Sequence, residues 1–452
     1  MHNHSVAHDS GWWDNRASPT ERLRRAADHV ATLLDAAQCG LRGSAAGALV
    51  RLVQFVRSDR AHEGGATALS HLLHYSLLPH YECQQPMKTR HNDGKTASDT
   101  MTENTAQSLA PQGTPPPYSP WRMSVAPMMD WTDRHCRYFH RLLTRQTLLY
   151  TEMVNAGAII HGGTERHLRF NTEEHPVALQ LGGNEPDKLA EAARLGAQWG
   201  YDEINLNCGC PSDRVQRGAF GASLMKDPQL VADCVKAMKD VVDVPVTVKH
   251  RIGIDKVEDY GFVRDFVGTV ADAGCTVFIV HARNAWLQGL SPKENRDIPP
   301  LRYEIVHRLK AEFPQFTIAI NGGIQTDQVV HAQLEHLDGV MIGREVYHNP
   351  WWMARWDALY YSETGGAPCP LTREEVELAM VEYMEREAAQ YGTPWPHIAR
   401  HMLGLRHSLP GARIWRQVWS NHLLKDRPAR EVHALAVQSY AQPSVAEAGT
   451  AH

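Results

Sequence analysis

Residues 203–249 read EINLNCGCPSDRVQRGAFGASLMKDPQLVADCVKAMKDVVDVPVTVK, and this stretch contains one complete strand–helix–strand unit. Short β-rich runs stand at its two ends, and the segment between them has helical spacing. Asp227 is an N-cap candidate and Pro228 occupies the first helical position. Leu230 and Cys234 then share one face of the helix. The stretch therefore predicts a β/α unit of a parallel sheet.

The same unit recurs eight times between residues 121 and 343. Eight β/α units over roughly 240 residues predict an α/β fold of the (β/α)8 TIM barrel type. An open, doubly wound sheet is the alternative, but no GxGxxG motif follows the first strand. The predicted strands are Met123–Pro127, Leu148–Met153, Val177–Leu181, Glu203–Asn207, Val246–Lys249, Val277–His281, Thr317–Asn321 and Gly339–Ile342.

An N-terminal extension, residues 1–118, precedes the barrel domain predicted at 119–365. It balances 11 Lys or Arg against 11 Asp or Glu and ends in a polar, Pro-rich stretch that predicts a linker. We expect it to be accessory and partly helical or disordered, or to reflect an over-long start with Met87 or Met101 as the true first residue. Its predicted helices lie at 19–38, 46–58 and 66–78.

Only helical patterns remain after about residue 370, which predicts a small C-terminal helical domain over 371–443. Residues 394–430 carry seven Lys or Arg and one Asp, so this domain has a basic segment. The helices are predicted at 373–391, 397–407, 412–424 and 428–439.

The composition excludes several classes of protein. The chain has 452 residues and a net charge of −5, so it is not a globally basic nucleic-acid binder, although a local basic face is compatible with that charge. No apolar run is long enough to span a bilayer, and the N-terminus lacks a signal-peptide pattern. The eight Cys are scattered without a CxxC pair, which argues against a metal site or a disulfide scaffold. We expect a cytoplasmic monomer with no metal and no membrane attachment.

Polar residues and glycines follow the predicted strands, at the end of a barrel where active sites form. Gly322 and Gly323 follow the seventh strand, and Gly343 with Arg344 follows the eighth. Loops at these two places commonly bind phosphate, because glycine lets backbone N–H groups approach an anion. The alternative is that these glycines only form tight turns.

Three further residues carry candidate chemistry. Lys249 could form a Schiff base, remain cationic beside a flavin ring, or be a solvated lysine. His281 could be a base, a cofactor ligand or a structural group. Cys210, on a loop leaving a strand, could be a nucleophile, a proton donor or a bystander, since a thiol with a pKa near 8.5 is mostly protonated at neutral pH. Cys208 makes a redox pair with Cys210 a further alternative.

A set of colinear stretches covers residues 121–440: APMMDWTDRHCRYF (126–139), PVALQLGGNEP (176–186), INLNCGCPSDRVQRGAFGASLM (204–225), VTVKHRIGID (246–255), IVHARNAWLQGLSPKENRDIPPL (279–301), AINGGI (319–324), GVMIGREVYHNPW (339–351) and RHMLGLRHSLPGARIWRQ (400–417). These residues resemble the tRNA-dihydrouridine synthases, most closely their A-type bacterial subfamily. The GCPS loop and the SPKENR segment are the most specific parts of the match.

The resemblance implies an enzyme that uses NADPH and FMN to reduce the C5–C6 double bond of uridine in the tRNA D-loop, at positions 20 and 20a. Reduced flavin would deliver hydride to C6, and Cys210 would protonate C5. Lys249 would stabilise negative charge on the reduced flavin, and Asn207 would hold the target base. The FMN contacts carried over by position are Pro127, Met128, Met129, Gln180, Lys249, His281, Asn321, Gly322, Gly323, Gly343 and Arg344.

The RNA must reach this mouth with its base splayed out, which requires phosphate contacts around it. The sequence departs from the usual HARKAW stretch of the subfamily at Asn284, which predicts one cation fewer near the RNA and a modestly lower affinity. Each candidate contact could equally be a solvated charge. The candidates are Arg283, Lys293, Arg296, Arg400, Arg413 and Arg416.

Two other classes of function stay open at this point. One is a small-molecule enzyme on the same barrel, either an FMN-dependent oxidoreductase acting on a small pyrimidine or enone, or a Lys249 Schiff-base aldolase. The other is a non-catalytic tRNA-binding protein. The basic C-terminal segment argues against the first class, and the combination of Cys210, Lys249 and His281 argues against the second.

Overall fold

The computed structural model describes residues 119–257 and 259–441, which all belong to one compact unit. The helices predicted at 19–38, 46–58 and 66–78 lie outside the described residues. The strands are β1 (Met123–Val125), β2 (Leu148–Tyr150), β3 (Val154–Asn155), β4 (Val177–Gly182), β5 (Glu203–Cys208), β6 (Val246–Arg251), β7 (Val277–His281), β8 (Thr317–Asn321) and β9 (Gly339–Ile342).

Eight parallel strands close into a barrel, which confirms the predicted fold. The hydrogen-bonded order runs β2-β1-β9-β8-β7-β6-β5-β4, and a β2–β4 pairing closes the ring. The second predicted strand is shorter than expected, because the chain leaves the ring after Tyr150. It then forms the two-residue β3, which pairs only with the end of β4.

The helices cover the outside of the barrel and build the C-terminal region. Asp227 caps its helix as predicted, because its side chain accepts a hydrogen bond from the Leu230 N–H. The helices are α1 (Arg134–Leu143), α2 (Ala156–His161), α3 (Thr164–Leu168), α4 (Pro186–Trp199), α5 (Asp213–Arg217), α6 (Pro228–Lys239), α7 (Tyr260–Asp272), α8 (Tyr303–Glu312), α9 (Asp327–Leu334), α10 (Arg344–His348), α11 (Trp356–Tyr360), α12 (Arg373–Tyr391), α13 (Trp395–Ala399), α14 (Ala412–Trp419) and α15 (Ala429–Ala441). Six short 3-10 segments add to them: Thr172–Glu174, Gly221–Lys226, Glu294–Arg296, Pro350–Arg355, Ser362–Thr364 and His422–Leu424.

The C-terminal helical region contains α12 to α15. The helix predicted at 373–391 has those bounds, with a capping box formed by Thr372 and Glu375. The helix predicted at 397–407 is wrong beyond Ala399, where the chain continues as successive turns. These turns bring Gly404 so close to the His348 backbone that a Cβ there would lie 2.5 Å from the carbonyl oxygen.

The barrel interior has an apolar side and a polar side. Polar side chains from β4, β5 and β6 hydrogen-bond to one another across the strands. The alternate residues of the same strands, such as Ile204 and Leu206, pack outward against the helices. The apolar side is a buried cluster of Ala126, Leu148, Tyr150, Ala178, Val277, Ile279, Ala319 and Met341.

Candidate active site

The predicted site residues meet at the carboxyl ends of the barrel strands. The strand register places Asn207 beside Lys249 and His281 beside Asn321. Lys249 Nζ donates a hydrogen bond to Asn321 Oδ1 at 3.2 Å, which links β6 to β8 past the end of β7. Gln180 Oε1 accepts a hydrogen bond from Asn207 Nδ2 at 2.9 Å. These residues therefore line one mouth.

The loop after β1 forms another part of this mouth. Pro127 and Met128 are half-buried, whereas Met129 has 54% of its surface exposed. A Cβ placed on Gly343 would lie 3.7 Å from Met128 Sδ, so the loops after β1 and β9 meet. All of the predicted FMN contacts thus come from loops or strand ends on the same face of the barrel.

Cys210 lies on a loop that two polar side chains hold in place. Asn207 Oδ1 accepts hydrogen bonds from the backbone N–H groups of Gly209 and Cys210, at 3.1 and 3.0 Å. Arg251 Nε donates to the Gly209 carbonyl at 3.0 Å. The half-buried Cys210 thiol has Ser212 Oγ as its polar neighbour at 3.5 Å, and no base contacts it among the described residues.

The redox pair of Cys208 and Cys210 does not fit this arrangement. Both cysteines are free thiols. Cys208 is fully buried in the apolar layer between barrel and helices, on the side of β5 that faces away from the mouth. Burial raises the pKa of the Cys208 thiol well above its ordinary value. That thiol is therefore a structural apolar group.

Basic side chains without a counter-charge among the described residues surround the mouth. Burial, reinforced by the charge of Arg251, lowers the pKa of Lys249 to about 7. Burial also lowers the pKa of Arg251 to about 10 and that of His281 well below its ordinary value. None of the three forms a salt bridge within the described part of the chain. Such a cluster lacks a counter-charge and suits an anionic ligand.

The glycines after β8 have conformations that a side chain would not tolerate. Gly322 and Gly323 have φ values of 122° and 67°. A Cβ on Gly322 would lie 2.8 Å from the His281 ring, and one on Gly323 would lie 2.5 Å from Leu301. Neither glycine N–H donates to another described residue. The two N–H groups are therefore available to an acceptor in the mouth.

Arg344 begins α10 directly after Gly343, beside the glycines of the neighbouring strand end. Its guanidinium forms two hydrogen bonds to the Asp297 carboxylate, at 2.7 and 3.3 Å. The side chain remains 39% exposed. Arg344 thus already binds one anionic group in the planar, two-pronged way that a phosphate also accepts.

A family model described as dihydrouridine synthase matches residues 124–441. This chain belongs to the dihydrouridine synthase family. It is 58% identical over 311 residues to a tRNA-dihydrouridine(20/20a) synthase of Escherichia coli O6:H1, covering 68% of this chain and 92% of that protein. It is 57% identical over 313 residues to a protein of the same name from Vibrio parahaemolyticus, covering 69% and 94%. The expected family, and with it the expectation of an enzyme, is confirmed.

A solved structure of morphinone reductase aligns with a TM-score of 0.38 and 13% sequence identity, covering 55% of this chain and 86% of that one. A likeness this weak adds nothing to the family assignment.

The residues at the mouth of this family member fit a flavin that carries a phosphate. That group combines a planar ring, polar along one edge, with a phosphate. Lys249, which forms no salt bridge among the described residues, suits the polar edge, and the His281 ring has no hydrogen-bond partner among them. The free N–H groups of Gly322 and Gly323, with Arg344 nearby, suit the phosphate.

The candidate RNA contacts fall into two places. Lys293 and Arg296 are exposed on the loop after β7, and Arg283 donates from the start of that loop to the carbonyls of Pro299 and Asp297. Arg400, Arg413 and Arg416 belong to the C-terminal helical region. Arg400 pairs with Asp133 at 2.7 Å, whereas the other two form no ion pair among the described residues.

The expectation for Asn284 is wrong. Its side chain is buried and donates hydrogen bonds to the carbonyls of Asp255 and Val257, at 3.1 and 2.8 Å. The amide thus ties the loop after β6 to the loop after β7. Asn284 does not leave a gap in an exposed basic surface, and the predicted loss of RNA affinity has no basis in its position.

Two parts of the site were not predicted from the sequence. Arg251 binds the carbonyls of Gly209, Asn284 and Asn295, and so joins the Cys210 loop to the loop after β7. Its signal was a charged residue in the run Lys249-His250-Arg251 at a strand end. The second is the polar chain below Gln180, whose signal was the alternation of polar residues at 203, 205 and 207.

Among the described residues, no helix is both long and apolar enough to cross a bilayer, and no group of three metal-ligating side chains is present.

Proposed function

We propose that this protein is a tRNA-dihydrouridine synthase that converts uridine to 5,6-dihydrouridine in the tRNA D-loop, at positions 20 and 20a. Membership of the family carries this proposal. Relatives named tRNA-dihydrouridine(20/20a) synthase, to which this chain is 54% to 59% identical, support it. The high identity extends across most of the length of those relatives, which supports the same substrate. We further propose that it acts as a cytoplasmic monomer, with residues 371–443 contributing to tRNA binding.

The overall reaction adds two hydrogens to uracil, so that uridine, NADPH and a proton become dihydrouridine and NADP+. The residues at the mouth would hold FMN, which, once reduced by NADPH, would supply the hydride for C6 of the base. The protein must then supply a proton at C5. Lys249 has a pKa of about 7, so it can carry a positive charge beside the flavin ring, where negative charge develops on reduction.

Cys210 is the residue that we propose as the proton donor for C5. Its loop is fixed by Asn207 and Arg251, so the thiol has a defined position at the mouth. No base contacts the thiol among the described residues, as a group that must remain protonated requires. After proton transfer, the thiolate lies near Arg251, whose positive charge stabilises it.

The test uses purified protein, NADPH and tRNA lacking dihydrouridine, with the product mapped by mass spectrometry. We expect a flavin spectrum and dihydrouridine at positions 20 and 20a. Cys210→Ala should keep its FMN, and NADPH should still reduce it, but tRNA reduction should fall by at least about 100-fold. Cys208→Ala is the matched control and should retain activity. Full dihydrouridine formation by Cys210→Ala would refute the proton-donor role.

The rival functions predict other results in the same experiment. A colourless protein without flavin would favour the Schiff-base aldolase or a pure tRNA-binding protein. Reduction of free uracil or an enone, without any modification of tRNA, would favour the small-molecule oxidoreductase.

A further inference from the structure

A buried chain of hydrogen bonds runs from the base of the barrel to the Cys210 loop. Thr247 Oγ1 lies 2.5 Å from Glu203 Oε1, and Asn205 Nδ2 lies 2.7 Å from Thr247 Oγ1. Gln180 Nε2 lies 2.7 Å from Asn205 Oδ1, and Asn207 Nδ2 lies 2.9 Å from Gln180 Oε1. All five side chains are buried.

The upper end of the chain favours one direction for each hydrogen bond, and the Glu203 end requires the same direction. Asn207 Oδ1 must face the loop, because it accepts from the backbone N–H groups of Gly209 and Cys210. The Asn207 amino group therefore faces Gln180, which must present its oxygen. The same logic then makes Gln180 donate to Asn205.

Asn205 in turn donates to the Thr247 oxygen, so the Thr247 hydroxyl hydrogen needs an acceptor elsewhere. That acceptor is Glu203 Oε1, which also accepts from the Tyr150 hydroxyl at 2.7 Å. Glu203 Oε2 accepts from Trp121 Nε1 at 2.6 Å. Three donors converge on Glu203, and a carboxylate satisfies all three because it has only acceptor sites.

An uncharged amide at position 203 could not satisfy the same partners. If its oxygen faced Thr247 and Tyr150, its amino group would face the Trp121 N–H, which is also a donor. If it turned over, two hydroxyls would lose their acceptor. Burial raises the pKa of Glu203, whereas the hydrogen bonds from Thr247, Tyr150 and Trp121 lower it. The fold thus buries a carboxyl group at a desolvation cost that its three hydrogen bonds offset.

We propose that Glu203 is a positioning residue that, acting through Thr247 and Asn205, fixes the side-chain amides of Gln180 and Asn207 in one orientation. Each of those two amides donates one N–H within the buried chain of hydrogen bonds, and its second N–H is available to a ligand in the mouth. The role towards flavin rests on the function proposed above. There, the second N–H of Gln180 faces the carbonyl-rich edge of the flavin and stabilises its reduced, more negative form.

Cutting the chain should therefore change the midpoint potential of bound FMN more than the amount of FMN bound. Thr247→Val replaces the hydroxyl by a methyl group of similar size, so Asn205 loses its acceptor and the amides above it are held only from the Cys210 loop. We expect reduced FMN to bind about tenfold less tightly relative to oxidised FMN. For a two-electron couple, that ratio lowers the midpoint potential by about 30 mV.

Three further variants of the holoenzyme define the role. Thr247→Ser keeps the hydroxyl and should restore the potential of the unmodified protein. Tyr150→Phe removes a donor from the same Glu203 oxygen but lies off the chain, so it should leave the potential unchanged. Glu203→Gln leaves at least one of the three donors without an acceptor, which weakens the chain at its other end, so it should lower the potential in the same direction as Thr247→Val. It also tests the chain independently if the valine variant does not fold.

The potential of each variant is measured by equilibrium reduction of the flavin absorbance, with the FMN-to-protein ratio determined in parallel. An unchanged potential in both Thr247→Val and Glu203→Gln would overturn the positioning role, as would an equal shift in Tyr150→Phe. A different result, unmodified protein without any bound flavin, would instead refute the proposed function.

Discussion

The barrel mouth and the C-terminal helical region both contain buried arginine or lysine, but they treat the charge in opposite ways. In the mouth, Lys249 and Arg251 form no salt bridge within the described residues, and burial lowers the pKa of both. In the helical region, Arg406 is buried against Glu374 and Glu377, at 2.9 and 3.0 Å. Burial alone would lower the pKa of Arg406, but its bond to Glu377 and the charge of both carboxylates raise it.

The difference distinguishes charged residues that stabilise the fold from charged residues that are available to a ligand. A buried cation without a counter-ion lowers the stability of the free protein, so it is retained where a bound anion compensates it. A cation paired with a buried carboxylate is already satisfied and is part of the architecture. Four predictions test this contrast, from the largest expected effect to the smallest.

The largest effect is expected in the helical region, for Glu377→Gln. Glu377 Oε1 accepts from the indole N–H groups of Trp415 and Trp419, at 2.6 and 3.0 Å, and Oε2 binds Arg406. Removing the charge leaves Arg406 without its buried carboxylate partner, because Glu374 is exposed. We expect a loss of about 3–5 kcal/mol in the free energy of unfolding, measured with urea at constant temperature.

Glu382→Gln on the same helix is the matched control, because Glu382 is exposed. It should change the free energy of unfolding by less than about 0.5 kcal/mol. The folded Glu377→Gln protein should bind FMN with unchanged affinity, since none of the described residues that contact Glu377 lines the mouth. Unaltered stability of Glu377→Gln would show that the pair is not part of the architecture.

Lys249→Met keeps the length of the side chain and removes its charge. In contrast to Glu377→Gln, it should lower ligand affinity without lowering the stability of the fold. FMN affinity should fall at least about tenfold, because a charged hydrogen-bond donor is lost. The flavin-free protein should be no less stable, since a costly buried charge has gone. Lys226→Met, at an exposed position, is the control for both measurements. A large loss of stability in Lys249→Met would contradict the contrast.

The pKa of Lys249 also gives a pH dependence with a definite sign. In the flavin-free fold the lysine has a pKa of about 7, against 10.5 for an ordinary lysine. Between these values the unfolded chain binds a proton that the fold does not, so the stability of the flavin-free protein rises with pH in this window. An anionic ligand raises the pKa of Lys249 again, so FMN affinity should fall as pH rises above about 7. Lys249→Met should remove both trends.

The parts of this molecule that follow from local pattern could be predicted from the sequence, and those that depend on register could not. The run Val246–Lys249 and the cap at Asp227 are local, and both have the predicted structure. The chain from Glu203 to Gln180 needs β4, β5 and β6 in register, which no local pattern determines. Asn284 shows the same limit, because only the fold reveals that its side chain points into the protein.

The smallest effect is expected for the basic surface of α14. Among the described residues, some arginines of this region already form an ion pair, and others do not. Arg400 is already paired with Asp133, and Arg430 with Glu385. Arg413 and Arg416 form no ion pair among the described residues, and their spacing of three places them on one side of α14. Like Lys249 and Arg251 in the mouth, these two arginines are therefore available to an anionic ligand.

Replacing both Arg413 and Arg416 with Gln should weaken tRNA binding by roughly tenfold at moderate salt and reduce the salt slope by about 2. FMN content and the free energy of unfolding should not change. The control is the double variant Arg194→Gln and Arg264→Gln, which removes equal charge from arginines paired on α4 and α7. Equal losses of affinity in the two double variants would mean that tRNA responds only to net charge. A loss confined to the α14 variant would place an RNA phosphate on this face, because only a local contact distinguishes two proteins of the same charge.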